Sequence, residues 1–190
     1  RFGGIMLKKI VLFGDSITAG YLDGYVSKAL TDRLADFLPE DKIINVGIPG
    51  DTTNGGLERF EQHVLKRDPD LVTILFGSND VTLAENISLT MYKNNILTMI
   101  EQVGAEKVLL ITPSFSNPLV QHDERPNSRI LAYGNAIREL AKEHQTLLAD
   151  LQIAFLDSPN YVDFLQKDGF QLNKKGYDLL AELIAHTLQS

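Results

Sequence analysis

Five short apolar runs punctuate this chain, at Leu7–Phe13, Ile43–Val46, Leu71–Phe76, Val108–Ile111 and Leu147–Leu151, with helical patterns following them. The runs are nearly continuous rather than alternating, the pattern of strands covered on both faces in a parallel sheet. Between them, Val26, Ala29, Leu30, Leu34 and Phe37 recur at helical spacing. So do Ile96, Met99, Ile100 and Val103, then Ile130, Tyr133, Ile137 and Leu140, and finally Tyr177, Leu180, Ile184 and Leu188 with Asn173 as the expected N-cap. Strands alternating with helices of this length predict β-α units with right-handed crossovers, an α/β fold on a parallel sheet. The sequence has no internal repeat and no linker, so residues 6–190 are expected to form a single domain, for which an apolar fraction of 44% supplies enough core.

In a parallel sheet the C-terminal strand ends share one rim, and ligands of open α/β sheets bind there. Three of the runs break into residues with chemistry to offer. Gly14-Asp15-Ser16 follows the first, Gly47-Ile48-Pro49-Gly50-Asp51-Thr52 the second, and Gly77-Ser78-Asn79-Asp80 the third. Taken singly, each segment reads as an ordinary turn or helix cap. Taken together they bring a serine hydroxyl, a flexible backbone N–H at Gly50 and the Asn79 amide to one place, enough for a nucleophile and two donors to a tetrahedral oxyanion. The longest irregular stretch, Pro113 to Pro126, is expected to be a loop on the same rim.

These segments resemble the first three motif blocks of the GDSL/SGNH hydrolases, and Asp168-Gly169-Phe170-Gln171, followed by Asn173 and Gly176-Tyr177, resembles the fourth. The blocks stand in order from Phe13 to about Tyr177, nearly the whole chain. The resemblance implies a three-layer, flavodoxin-like fold with a five-stranded parallel sheet. It also implies hydrolysis of simple carboxylic esters or thioesters through an acyl-serine, with no metal and no organic cofactor. Ser16 would be the nucleophile. The N–H groups of Ser16 and Gly50 and the Asn79 amide would form the oxyanion hole, and Asp168 would orient the general base.

At the position of that base the pattern is broken. The family's fourth block ends in histidine, where this chain has Gln171. A carboxamide can donate or accept a hydrogen bond, but it cannot take a hydroxyl proton near neutral pH and return it to a leaving group. As written, the triad Ser16, Asp168, Gln171 lacks its base. Three accounts stand open. The glutamine is an introduced change, one nucleotide from histidine; or it is natural and the chain is a non-catalytic binder of acyl or acetylated ligands; or another histidine substitutes. For that last role His122 is the only candidate on the expected rim. His63 and His186 fall in amphipathic helices and His144 near a helix end, and a mobile loop seldom holds a base in place.

Other chemistries find no support. The chain has no cysteine, which excludes disulfides, a thiol nucleophile and thiolate metal sites. A net charge of −7, with no Lys/Arg cluster longer than a pair, argues against nucleic acid or an anionic membrane as partner. No apolar stretch approaches a membrane span. The nucleophile elbow Gly-x-Ser-x-Gly and the Gly-rich phosphate loops are missing. His122-Asp123-Glu124 reads as a solvated charge run rather than a metal site. Arg1 to Ile5 resemble an expression-tag remnant, and the first apolar run follows Met6 almost at once. A cytoplasmic protein is therefore expected, with a small-molecule ester as its partner. The sequence carries no signal for an oligomeric state.

Overall fold

A computed structural model describes residues 7–190; the expected tag remnant lies outside the described residues. The elements in chain order are β1 (Lys9–Gly14), α1 (Ser16–Ala19), β2 (Tyr21–Leu22), β3 (Tyr25–Val26), α2 (Ala29–Phe37), β4 (Lys42–Asn45), α3 (Thr53–His63) and β5 (Leu71–Leu75). Then come α4 (Leu89–Val103), β6 (Val108–Ile111), α5 (Pro118–Gln121), α6 (Asn127–His144), β7 (Leu147–Ala149), α7 (Leu151–Leu156) and α8 (Lys174–Gln189), with three short 3-10 turns between them.

Five strands form one parallel sheet in the order β4-β1-β5-β6-β7, while β2 and β3 pair as a separate antiparallel hairpin. Counting sheet strands alone, the order is 2-1-3-4-5, the doubly wound flavodoxin-like arrangement. The chain turns to one side of β1 to form β4, then crosses back to form β5. The crevice between the ends of β1 and β5 is thus the topological switch point. Helices α2 and α8 pack together, while α3, α4 and α6 pack in series, giving the two outer layers. The three central strands are buried almost throughout, as their unbroken apolar runs require. Phe13, Phe60 and Phe76 cluster at ring-centroid distances of 5.3 and 5.2 Å beneath the switch point.

All five expected strands are present, with shifted ends. The first begins at Lys9, leaving Leu7 exposed. The last stops at Ala149, because Asp150 accepts from Ile153 N and caps α7. Val26 and Phe37 depart from the expected helical face. Val26 belongs to β3 and is exposed, and Phe37, at the end of α2, is exposed as well. The expected loop from Pro113 to Pro126 carries one helical turn, α5, started by Pro118 after an Asn117 cap. Asn173 caps α8 as its sequence position predicts, accepting from Gly176 N. Among the described residues, no helix is long and apolar enough to cross a membrane.

Candidate active site

Strand β1 ends at Gly14, which has no room for a side chain: a Cβ there would collide with the Leu75 carbonyl oxygen and with Thr18 Oγ1. This close approach lets the chain turn at once into α1. Asp15 caps that turn, its Oδ1 accepting from Ile17 N at 3.0 Å, and Ser16 becomes the first helical residue. Ser16 is only 3% exposed. Its backbone N–H, at the first position of a helix, donates to no group among the described residues.

The loop after β4 is fastened beside it. Asn45 donates from Nδ2 to the Thr18 carbonyl at 2.7 Å and accepts from Gly47 N at 3.0 Å. Gly50 has φ of 78°, in the left-handed region, and its N–H also lacks a partner among the described residues. Thr52 then caps α3. Asp51 pairs with Arg59 Nε at 2.7 Å, and the same guanidinium reaches the carbonyls of Val46 and Gly14, tying the β4 loop to the end of β1.

The loop after β5 completes the rim. Asn79 donates from Nδ2 to the Asp51 carbonyl at 2.9 Å, which sets its amide against the Gly50 turn and leaves one N–H of the amide for another acceptor. Ser78 Oγ donates to Asp15 Oδ2 at 2.7 Å. Asp80 accepts at Oδ1 from Thr53 N and Oγ1, while its buried Oδ2 has no partner among the described residues. Asp15 and Asp80 are both sealed from solvent, and burial is the main reason their carboxyls are pushed up from 3.8, to about 7 and about 6 respectively. Hydrogen bonds from Ser78 and Ile17 to Asp15, and from Thr53 to Asp80, oppose the shift; the neighbouring carboxylates reinforce it.

The fourth segment arrives from the far end of the chain. Leu165 and Leu172 form an antiparallel bridge that closes the turn between them, and Gln166 N donates to the Gln171 carbonyl at 2.8 Å. Within the turn, Asp168 Oδ1 accepts from the N–H groups of Phe170 and Gln171 at 3.1 and 3.0 Å. Two side chains dock this region on α1 and the start of β2. Gln166 Nε2 donates to the Tyr21 carbonyl at 3.0 Å, and Tyr177 OH lies 2.9 Å from the Ile17 carbonyl and 3.2 Å from that of Tyr21. Gln171 is thereby delivered to Ser16 across 155 positions of sequence, its Nε2 donating to Ser16 Oγ at 2.8 Å and its Oε1 standing 3.2 Å from the same oxygen. The carboxamide lies against the serine hydroxyl and occupies it.

Ser16, Gly50 and Asn79 thus stand around one crevice, each in the segment that follows its strand, with Gln171 facing Ser16 from the Asp168–Gln171 turn. Asp168, expected to orient a general base that this chain lacks, accepts at Oδ1 from backbone N–H groups, and the Gln171 amide bonds to Ser16. The Gln171 amide has one further N–H on Nε2, and among the described residues it makes no bond to the Asp168 carboxylate. His122, the alternative base, has a side chain 81% exposed and bonds to its neighbour Asp123. Sequence reasoning missed the buried pair Asp15 and Asp80, and it missed Arg125, which reaches into the site from the Pro113–Pro126 stretch. Arg125 is the one Lys or Arg of that stretch, beside the charge run His122-Asp123-Glu124.

A family model described as the GDSL-like Lipase/Acylhydrolase family matches residues 12–179. Among solved structures, a lipase/acylhydrolase from Enterococcus faecalis superposes with a TM-score of 0.93 at 41% identity, covering 96% of each chain. An acetyl xylan esterase superposes with a TM-score of 0.79 at 25% identity over 95% of this chain and 99% of that one. Among curated proteins, the isoamyl acetate-hydrolyzing esterase 1 homolog of Homo sapiens is 28% identical, covering 93% of this chain and 79% of its own length.

Proposed function

Since the chain belongs to the GDSL-like lipase/acylhydrolase family, we propose that its switch-point crevice is a serine esterase site for small carboxylic esters or thioesters, held in an impaired state by Gln171. The observation that carries the reading is the placement of Ser16 Oγ 2.8 Å from Gln171 Nε2, at the rim where Gly50 and Asn79 also stand. In the reaction Ser16 Oγ attacks the carbonyl carbon, and the N–H groups of Ser16 and Gly50 with the Asn79 amide receive the negative charge as it develops. The ester C–O (or C–S) bond then breaks, leaving an acyl-serine for water to hydrolyse. Both halves need a group at position 171 that takes the hydroxyl proton and passes it to the leaving oxygen or sulfur. Glutamine has no basic atom for this, and its N–H instead engages the serine lone pair that would attack. The near-complete burial of Ser16 suits a short acyl group, in keeping with relatives named for acetyl esters.

A second reading is favoured by the same contact. A hydroxyl held by a neutral amide, beside free N–H donors, would bind an acyl or acetylated ligand without cleaving it. The two readings part on a panel of p-nitrophenyl esters and acyl-CoAs of increasing chain length, assayed with the chain as it stands, Gln171→His, and Gln171→His with Ser16→Ala. The esterase reading expects Gln171→His to raise turnover by roughly 10³-fold or more, the scale on which triad members act, and Ser16→Ala to abolish the gain. Absence of any gain, together with saturable binding of an acyl ligand by calorimetry, would establish the binder. Brisk turnover by the unaltered chain that His122→Ala removes would make the loop histidine the base.

A further inference from the structure

Arg125 is 8% exposed, although it follows three exposed residues in a surface segment. Its Nε donates to the Ser78 carbonyl at 2.7 Å, and Nη1 donates to Gln121 Oε1 at 2.9 Å. The face of the guanidinium covers the Phe170 ring, with Cζ 3.7 Å from the centroid. Its one ion-pair partner among the described residues, Glu124 at 3.2 Å, has a side chain 73% exposed and screened by water. Burial pushes the guanidinium pKa down, and the carboxylates of Glu124, Asp168 and Asp15 push it back up. A buried cation without a buried counter-ion is costly for a fold. What this one gains is contact with two loops at once.

Ser78 precedes Asn79, and its hydroxyl holds Asp15, which precedes Ser16. Phe170 precedes Gln171. Gln121, on α5, donates from Nε2 to the Asp168 carbonyl at 2.7 Å, and Asn117 N donates to the Gly169 carbonyl at 2.8 Å. Gly169, at φ of 80°, lies so close to α5 that a Cβ would meet Val120 at 3.0 Å. The planar fork of Arg125 therefore clamps the Asp168–Gln171 turn, directly and through α5, to the loop that carries Asn79. A lysine could supply the charge but neither the fork nor the stack.

We propose that Arg125 is a positioning residue for ester hydrolysis: it fixes the distance between the residue at 171 and Ser16 by locking the fourth segment to the third, an assignment that rests on the esterase reading above. The test has two arms. In the chain as it stands, the side-chain amide resonances of Gln171 are identified by their loss in Gln171→His, and their free position is given by Ser16→Ala. Arg125→Met is expected to move them toward that free position. In the Gln171→His background, Arg125→Met is expected to lower kcat by about 10²-fold, the scale of a displacement of about 1 Å, with KM held within about threefold. Arg125→Lys should stay impaired, whereas Arg125→Ala should recover activity on addition of millimolar guanidinium. Unmoved Gln171 resonances, or a loss of kcat that tracks a fall in Tm and is not rescued by guanidinium, would overturn the proposal. If Gln171→His is inert on every ester, the esterase reading fails while the amide resonances still decide whether Arg125 positions the turn. Should Arg125→Met not fold, Gln121→Leu removes the bridge to the Asp168 carbonyl with the guanidinium left in place, and the same shifts are expected.

Discussion

Replacing Asp15 by asparagine should stabilise this protein in alkaline solution and destabilise it slightly below about pH 4. The Asp15 carboxyl is sealed beneath Ser16, and burial raises its pKa from 3.8 to about 7, with the Asp80 and Asp51 carboxylates adding to the shift. Below the lower value, folded and unfolded chains both hold the proton. Between the two values the folded protein keeps a proton that the unfolded chain has released, so stability falls as pH rises, and the loss is complete above the higher value. A shift of about three units corresponds to about 4 kcal/mol, of which about 3 kcal/mol accrues above pH 5. Asparagine is neutral throughout and keeps an acceptor for Ile17 N. Its Nδ2 requires the Ser78 hydroxyl to turn from donor to acceptor, a rearrangement costing about 1 kcal/mol at every pH. In a chain of this size 1 kcal/mol moves Tm by roughly 2–4 °C. Calorimetric scans of both proteins at about pH 5 and about pH 8 should therefore give a difference in Tm that rises by roughly 5–10 °C across the interval. A difference of the same size at both pH values would refute the reasoning, because it would mean that Asp15 does not titrate between them in the folded protein.

Asn79→Ala, made in the Gln171→His background, should reduce kcat by on the order of 10²–10³ while KM moves little, the pattern of a donor whose bond strengthens with developing charge; steady-state kinetics on an activated acetate ester reads both. Asp168→Ala should cost far more in that background than beside glutamine, since the carboxylate has an imidazole to orient only there, and a double-mutant cycle on kcat/KM measures the coupling. Gly14→Ala should destabilise the fold by about 3 kcal/mol, because the new methyl would stand against the Leu75 carbonyl, a backbone atom that cannot swing aside; urea unfolding gives the value, and a change below about 0.5 kcal/mol would show that β1 and β5 can separate freely.

Much of this architecture is written in local pattern. Unbroken apolar runs such as Val108–Ile111 announce strands covered on both faces, and the residues placed just after them share a rim wherever the sheet is parallel. That is why Ser16, Gly50 and Asn79 could be grouped without coordinates, whereas Gln171 joined them only through the resemblance of its segment to the fourth motif block. The hairpin at Tyr21–Val26 was legible too, through Asp23-Gly24, both of which adopt positive φ. It was overlooked because strands of two residues have no periodicity to detect, and Val26 happens to fall at helical spacing from Leu30. The extent of the last strand was misread because Leu151 is apolar whether it ends β7 or starts α7; only the Asp150 cap decides. Arg125 and the pair Asp15 and Asp80 belong to a different class. Their significance comes from burial and from partners dozens of positions away, such as Ser78 for Arg125, and nothing in the neighbouring sequence encodes that.

The docking of Tyr177 on the carbonyls of Ile17 and Tyr21 also has a consequence in time. A chain is made from its first residue to its last, so Ser16 and the strands around it emerge long before the segment that faces them. Until α8 has been synthesised and settled on α1, the serine stands at the end of β1 with no residue opposite it. Loss of α8 to a protease would return the molecule to that same condition. The position of one tyrosine thus makes the crevice a late product of folding and ties it to the integrity of nearly the whole polypeptide.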